Sequence, residues 1–246
     1  MERFGAPILR NGGEVMQGKN NFKRILSGIM SVAMAATLLP SLPVVAENTA
    51  EKYPYTMFAA SDTEGAITIN ANNFCVNGNI ATNGTIVSSG NMNVNGTKTE
   101  NADEEMIYIL KKLNYSYFSG DNVETYADDY SFEDLNININ NPMDVNGTLE
   151  LTGNINLNSG IKAVEDVTIN GEVKNTNNSV ICSETGDINI ETSNVNFSGL
   201  IYAPYGDINI DTDNLNLNNV IIIGQTITID CPSINANYSN NMAELV

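Results

Sequence analysis

The sequence predicts an all-β protein, a right-handed parallel β-helix (β-solenoid) with three short strands per coil and one α-helical insertion. Three observations predict it. The phrase Gly186-Asp187-Ile188-Asn189-Ile190 returns about twenty residues later as Gly206-Asp207-Ile208-Asn209-Ile210, and again as Gly224-Gln225-Thr226-Ile227-Thr228-Ile229. A second alternating piece follows each time at the same interval: Val195-Asn196-Phe197, Leu215-Asn216-Leu217 and Ile234-Asn235-Ala236. A third, wholly apolar piece recurs in register as Val180-Ile181-Cys182, Leu200-Ile201-Tyr202 and Val220-Ile221-Ile222-Ile223.

Each piece has its own physical reading. Alternation of apolar and polar residues puts Ile188 and Ile190 on one face of a strand and Asn189 on the other. The uniformly apolar third piece suits strands covered on both faces. Asn is a poor strand residue in general, but stacked coils let Asn side chains hydrogen-bond along a ladder. Asn-Gly pairs at 77, 83, 95, 146 and 170 read as corners. One coil buries too few apolar side chains to offset the ordering of its own backbone, so coils must stack and the two ends need caps.

Along the chain, Lys19, Lys23 and Arg24 precede an apolar stretch over residues 25–39, then Pro40, Pro43 and small residues. That order reads as a secretory signal peptide over 1–46, cleaved between Ala46 and Glu47. The stretch is too short for a membrane span, and none is expected after cleavage. Residues 47–65 read as an N-terminal cap segment, and the solenoid occupies 66–246, interrupted over 97–134, with about six coils in all. Within the interruption, Asn101 and Glu104 resemble a capping box, Asp103 to Glu105 crowd a helix start, and Lys111 and Lys112 lie near its end. The helix covers roughly 102–114, and its stripe of Met106, Leu110, Leu113 and Tyr117 packs on the apolar side of the rod or else receives a partner.

Charge narrows the function classes. Five of the 11 Lys and Arg but only two of the 29 Asp and Glu lie in residues 1–46, so the remainder carries a net charge of −21 and has no Arg. Such a polyanion excludes nucleic acid as a partner, because binding there needs cations to displace counterions. It suits solubility, divalent cations or a basic partner. Cys75, Cys182 and Cys231 are odd in number, match no zinc spacing and have no His beside them anywhere in the chain, so they read as buried or half-buried structural thiols.

The candidate interaction site is the acidic, aromatic stretch after the helix, with Tyr126, Tyr130 and Phe132 as its contacts. Asp121, Glu124, Asp128 and Asp129 are the weak Ca²⁺ candidates there, but the spacing lacks the order of a dedicated calcium loop and a solvated loop is the favoured reading. No other cofactor is implied. A β-helix of this kind is also a scaffold for carbohydrate-active enzymes. A lyase needs Arg or Lys that the solenoid scarcely has, whereas a glycosidase needs two carboxylates, and Asp187 and Asp207 stand one repeat apart. Because they belong to the repeat itself, they read as corners. An ice-binding solenoid would want a flat ladder of outward Thr, and Thr68 and Thr228 read as too scattered for one.

The phrases Met57-Phe58-Ala59-Ala60-Ser61, Ile67-Thr68-Ile69-Asn70-Ala71-Asn72-Asn73-Phe74, Ala102-Asp103-Glu104-Glu105-Met106 and Gly199-Leu200-Ile201-Tyr202-Ala203-Pro204 carry a resemblance over nearly all of the chain after residue 46. They resemble an exported β-solenoid module of adhesin-like secreted and cell-surface proteins of Gram-positive bacteria. That resemblance implies a β-helix and no particular function; the residues as a whole read as a non-catalytic structural or adhesive module, secreted or at the cell surface, with a surface polysaccharide or protein as partner. The alternative is a carbohydrate-active or glycan-binding β-helix.

Overall fold

A computed structural model of the chain describes residues 53–106, 117–175 and 178–238. All strands in it pair in parallel within one sheet wound into a solenoid, as the repeat predicts. The alternating phrases become the inner rows of the rod: Ile188, Ile208, Ile227 and Ile67 stack in register and are each at most 1% exposed. The long strands Ile188–Ala203 and Ile208–Gly224 run through all three sides of a coil and pair along nearly their whole length.

The rod has three faces. A first face carries the outward row Thr168, Asn189, Asn209, Thr228, Thr68 in rung order. A second carries Asn138, Asn156, Lys174, Asn196, Asn216, Asn235, Cys75, Asn93. The third is apolar on both sides of the sheet over its central rungs. Its outward residues Phe58, Cys182, Leu200, Tyr202, Ile221 and Ile223 form a second buried cluster, separate from the central core. Met106, Tyr117 and Phe118 pack against that cluster.

The order of rungs differs from the order of the chain. Residues 124–238 climb the rod in sequence. The last of them, Ile227–Asp230 and Ser233–Tyr238, then form two sides of a coil whose third side is Tyr55–Ala59 from the other end of the sequence. Ile67–Asn70, Asn73–Asn77 and Asn79–Thr82 make the next coil, and Ile86–Ser88, Asn91–Val94 and Lys98–Thr99 the last. Residues 55–59 are thus an interior strand paired on both edges, where the sequence suggested a cap segment. The chain leaves this end at Thr99 and resumes at the opposite end with Glu124–Tyr126.

Two further expectations are corrected. The first two faces are eight rungs deep and the third is nine, not about six, giving a rod of about 40 Å at ~4.8 Å per rung. Part of the shortfall arose because Glu124–Tyr126 and residues 130–134, read as a loop, belong to the terminal coil. The capping box also does not form. Asn101 and Asp103 adopt left-handed backbone conformations, Asn101 N–H and Ala102 N–H bond to the corner at Gly84 and Thr82, and residues 102–106 are not helical. The rest of the expected helix, with Leu110 and Leu113, lies outside the described residues, as does the segment expected to be a signal peptide, with Ala46 and Glu47.

The corners explain the glycines. Gly153 and Gly171 sit one above the other at φ of +139° and +151°, and a Cβ on Gly171 would lie 1.9 Å from Gly153 O. No side chain fits that column.

Tyr238 donates its hydroxyl to Tyr53 O, so the first and last described residues meet in mid-rod. Joining them by a short linker and opening the chain between Gly120 and Asp121, both exposed, would make chain order equal rung order. Such a permutant is expected to fold cooperatively, with a circular dichroism spectrum like the parent's and a melting temperature within about 5 °C. Loss of the transition would show that the natural threading is required for folding.

Candidate binding faces

The second face is a regular surface eight rungs deep. Its Asn side chains point outward because their apolar neighbours fill the core, and stacking brings each amide within reach of the next. Asn156 donates to Asn138 (3.0 Å), Asn158 to Asn140 (3.0 Å), Asn95 to Asn77 (3.2 Å), Asn77 to Asn237 (2.7 Å) and Asn237 to Asn218 (3.1 Å). The row 95–77–237–218 crosses the join between the two halves of the chain without a break. The same ladder appears on the first face, where Asn209 donates to Asn189 (3.0 Å).

Charge is distributed unevenly between these faces. The central Asn row holds one ionisable lysine, Lys174, paired at 2.5 Å with Glu172. The first face instead carries Glu191, Asp211 and Asp230 as in-register neighbours, two residues along from the Asn and Thr row. On that face Thr68 and Thr228, distant in sequence, are adjacent rungs. The expectation that they are scattered is therefore corrected.

The carboxylates considered for catalysis occupy a corner. Asp166 Oδ1 accepts Asp187 N–H at 2.8 Å, and Asp187 Oδ1 accepts Asp207 N–H at 2.8 Å, so each side chain ties its coil to the next. Asp129 does the same for Thr148 N–H at 2.9 Å. Asp187 Oδ1 is thus engaged with the backbone of the next coil, as a corner residue is.

The acidic, aromatic stretch folds as the terminal coil. Tyr126, Tyr130 and Phe132 are in register with the inward residues Val145, Leu149 and Leu151, and so lie over the end of the core. The Tyr126 and Tyr130 rings stand 3.8 Å apart and those of Tyr130 and Phe132 6.4 Å. Hydrogen bonding to Tyr130 and burial push the Tyr126 hydroxyl up to about 12. Phe132 stays 38% exposed. Glu124 accepts Asn141 Nδ2 at 3.0 Å, while Asp121 is an exposed turn residue and Asp128 lies at an exposed corner. Among the described residues no group of three or more His, Cys, Asp or Glu side chains is gathered as a metal would need.

Cys182 and Cys231 are buried and Cys75 half-buried, all as free thiols, and burial drives the Cys182 thiol well up.

A cluster that the sequence reading missed lies at one end of the third face. Lys162 Nζ sits 2.9 Å from Glu184 Oε1 and 3.1 Å from Asp144 Oδ1, and 5.7 Å from the Phe118 ring centroid. Beside it is a recess of about 420 Å³ lined by Thr125, Tyr126, Asn146 and these charges. The signal was present: in the outward row Asp144, Lys162, Cys182, Tyr202, a cation stands beside a carboxylate in register.

No known family's profile matches the chain, and no curated protein does. Solved structures do. An ice-binding protein from the Antarctic ascomycete Antarctomyces psychrotrophicus is 12% identical over 76% of this chain and 95% of its own, with a TM-score of 0.41. An ice-binding protein from an Antarctic bacterium, Flavobacteriaceae, is 17% identical over 75% of this chain and 46% of its own, with a TM-score of 0.38. One from an Antarctic biological consortium is 13% identical over 82% and 95%, with a TM-score of 0.35. At these identities the likeness is one of fold alone.

Proposed function

We propose that the chain is a structural or adhesive module, secreted or displayed at the cell surface, that holds an extended neutral partner, a surface polysaccharide, against its Asn face without catalysis. The Asn ladder carries this assignment. Asn77, Asn237 and Asn218 each both donate to and accept from a neighbouring amide, and Asn156 donates to Asn138, which leaves their remaining N–H groups and lone pairs to face outward. The mutual bonds hold the side chains in place, so little side-chain entropy is lost when a partner docks. Carboxylates are kept off the central row, which favours a neutral, hydroxyl-rich partner.

A glycan array combined with hydrolysis assays on plant and host polysaccharides tests it. Retention without turnover is expected, and the double substitution Asn196→Asp with Asn216→Asp is expected to weaken retention at least about tenfold by placing two charges on the face. Turnover would sink the non-catalytic reading in favour of a carbohydrate-active enzyme. N-terminal sequencing of secreted material tests export, with Glu47 expected first.

The Thr168, Asn189, Asn209, Thr228, Thr68 row favours a second reading, docking of the first face on a regular solid such as ice. The carboxylate row beside it makes that face strongly hydrated, which is why the Asn face is preferred. A thermal hysteresis measurement separates the two.

A further inference from the structure

Asn-Gly pairs stand at five corners, at 77, 83, 95, 146 and 170. In such a pair the glycine nitrogen closes a five-membered ring when it reaches the Asn carboxamide carbon, an attack within the chain that needs no encounter with a second molecule. Glycine has no side chain to hinder it and the widest backbone freedom to bring the two atoms together. Whether a given pair reacts is then decided by the hold that the fold keeps on its two residues.

Four of the five are held. Gly171 N–H bonds Glu191 O at 3.2 Å, and Gly84 N–H bonds Thr82 Oγ1 at 3.1 Å. The Asn83 amide is fixed as well, donating to Ala60 O and Glu104 O and accepting Glu104 N–H. Asn77 donates to Asn237 and accepts from Asn95, so its amide is fixed from both sides. Gly147 is buried, and Asn146 Nδ2 bonds Ala127 O at 3.2 Å.

Asn95-Gly96 is different. Of these five pairs, all among the described residues, it alone has both members exposed. It belongs to the coil of Ile86–Ser88, Asn91–Val94 and Lys98–Thr99, the last of the rod, so no further coil lies beyond it to take up the Gly96 N–H. Among the described residues no acceptor is paired with that N–H. Asn95 opens the ladder row: its Nδ2 donates to Asn77 Oδ1 at 3.2 Å, and no amide stands above it to fix its own oxygen. Glycine is nevertheless required at this corner, because a Cβ on residue 96 would lie 2.4 Å from Gly78 O. Close stacking thus imposes the residue that makes the pair labile at the one corner where the fold leaves it unprotected.

We propose that Asn95 is a site of spontaneous deamidation in the folded protein. Gly96 N gives its proton to solvent base and bonds to Asn95 Cγ; the Cγ–Nδ2 bond breaks, ammonia leaves and a succinimide remains. Water then opens the ring at either carbonyl, to aspartate or to isoaspartate. The new carboxylate only accepts hydrogen bonds, so the bond to Asn77 Oδ1 is lost and a negative charge arrives at the end of a neutral row. On the reading proposed above, converted chains hold a neutral polysaccharide less firmly at that end of the face.

Ageing the full folded chain in warm, mildly alkaline buffer, with peptide mass mapping of all five pairs and enzymatic methylation of isoaspartate, tests the site. Asn95 is expected to convert at least about tenfold faster than Asn77, Asn83, Asn146 or Asn170. In concentrated urea, where the fold holds none of them, the five rates are expected to converge. Asn95→Gln keeps an amide but would have to close a six-membered ring, and is expected to remove the fast-converting fraction while leaving the circular dichroism spectrum unchanged. Conversion of Asn95 no faster than the other four in the folded chain overturns the proposal, as does a fast fraction that persists in Asn95→Gln. The peptide masses report on this site whether or not the Asn face holds a polysaccharide.

Discussion

Replacing Lys162 with Ala is expected to lower the unfolding free energy by about 3 kcal/mol, the lower end of the range for removing one partner of a buried ion pair. The lysine side chain is 7% exposed and faces two carboxylates whose side chains are 27% and 23% exposed, which places the loss at that lower end. Without Lys162, Asp144 and Glu184 face each other across the apolar outer layer near Phe118, with no cation between them. Replacing all three by apolar residues of similar size is expected to recover most of the loss, since the desolvation cost leaves with the charges. Urea denaturation of the single and triple variants at equal m-value measures both.

The same cluster has a pH signature. Burial pulls the Lys162 pKa down, but hydrogen bonds and charge from Glu184 and Asp144 more than offset it, so the folded value lies above the ordinary 10.5. A raised value means the folded state holds the proton more tightly. The stabilisation is therefore complete at neutral pH, begins to fade above 10.5 and is lost as pH rises through the folded value. The difference between the parent and Lys162→Ala should be flat from about pH 7 to 10 and shrink beyond it.

Phe58→Ala is expected to cost about 3–5 kcal/mol, the range for removing a buried Phe side chain. Phe58 is 1% exposed, in register between Ile223 and Ala81, with the Tyr55 ring stacked 5.9 Å away. Its strand is the third side of the coil that joins the two halves of the chain, so the damage should be local first. Amide exchange is expected to quicken together over 227–238 and 67–82 while 149–163 keeps its protection. Uniform acceleration along the rod would show that the join is no weaker than any other rung.

What was legible in the sequence and what was not follow one division. Ile188, Ile208 and Ile227 announce their stacking because the repeat between them is even, and Val220 to Ile223 announce a twice-covered strand because every position is apolar. The same apolar row predicted the burial of Cys182. Residues 124–134 escaped, since the terminal coil is covered on one side only and its rows end in Glu124, Ser131 and other polar residues, which read as a loop. Lys162 escaped for a related reason: its partners Asp144 and Glu184 are 18 and 22 residues away, and only the rung register brings them near. The Asn ladder was foreseen from composition, but its continuity across Asn77 and Asn237 was not.

By itself the sequence determined the coil, because side-chain alternation and corner chemistry act over a few residues and repeat with the chain. Tertiary structure alone decided the order in which the coils stack. Every rung presents nearly the same edge, so local patterning cannot choose which rung follows which. The choice falls to the contacts that differ between rungs, the Tyr55–Ala59 strand closing the C-terminal coil, the third-face cluster and the Lys162 charges. These contacts placed the first strand in the middle of the rod, Thr68 beside Thr228, and a lysine and a glutamate at its two ends.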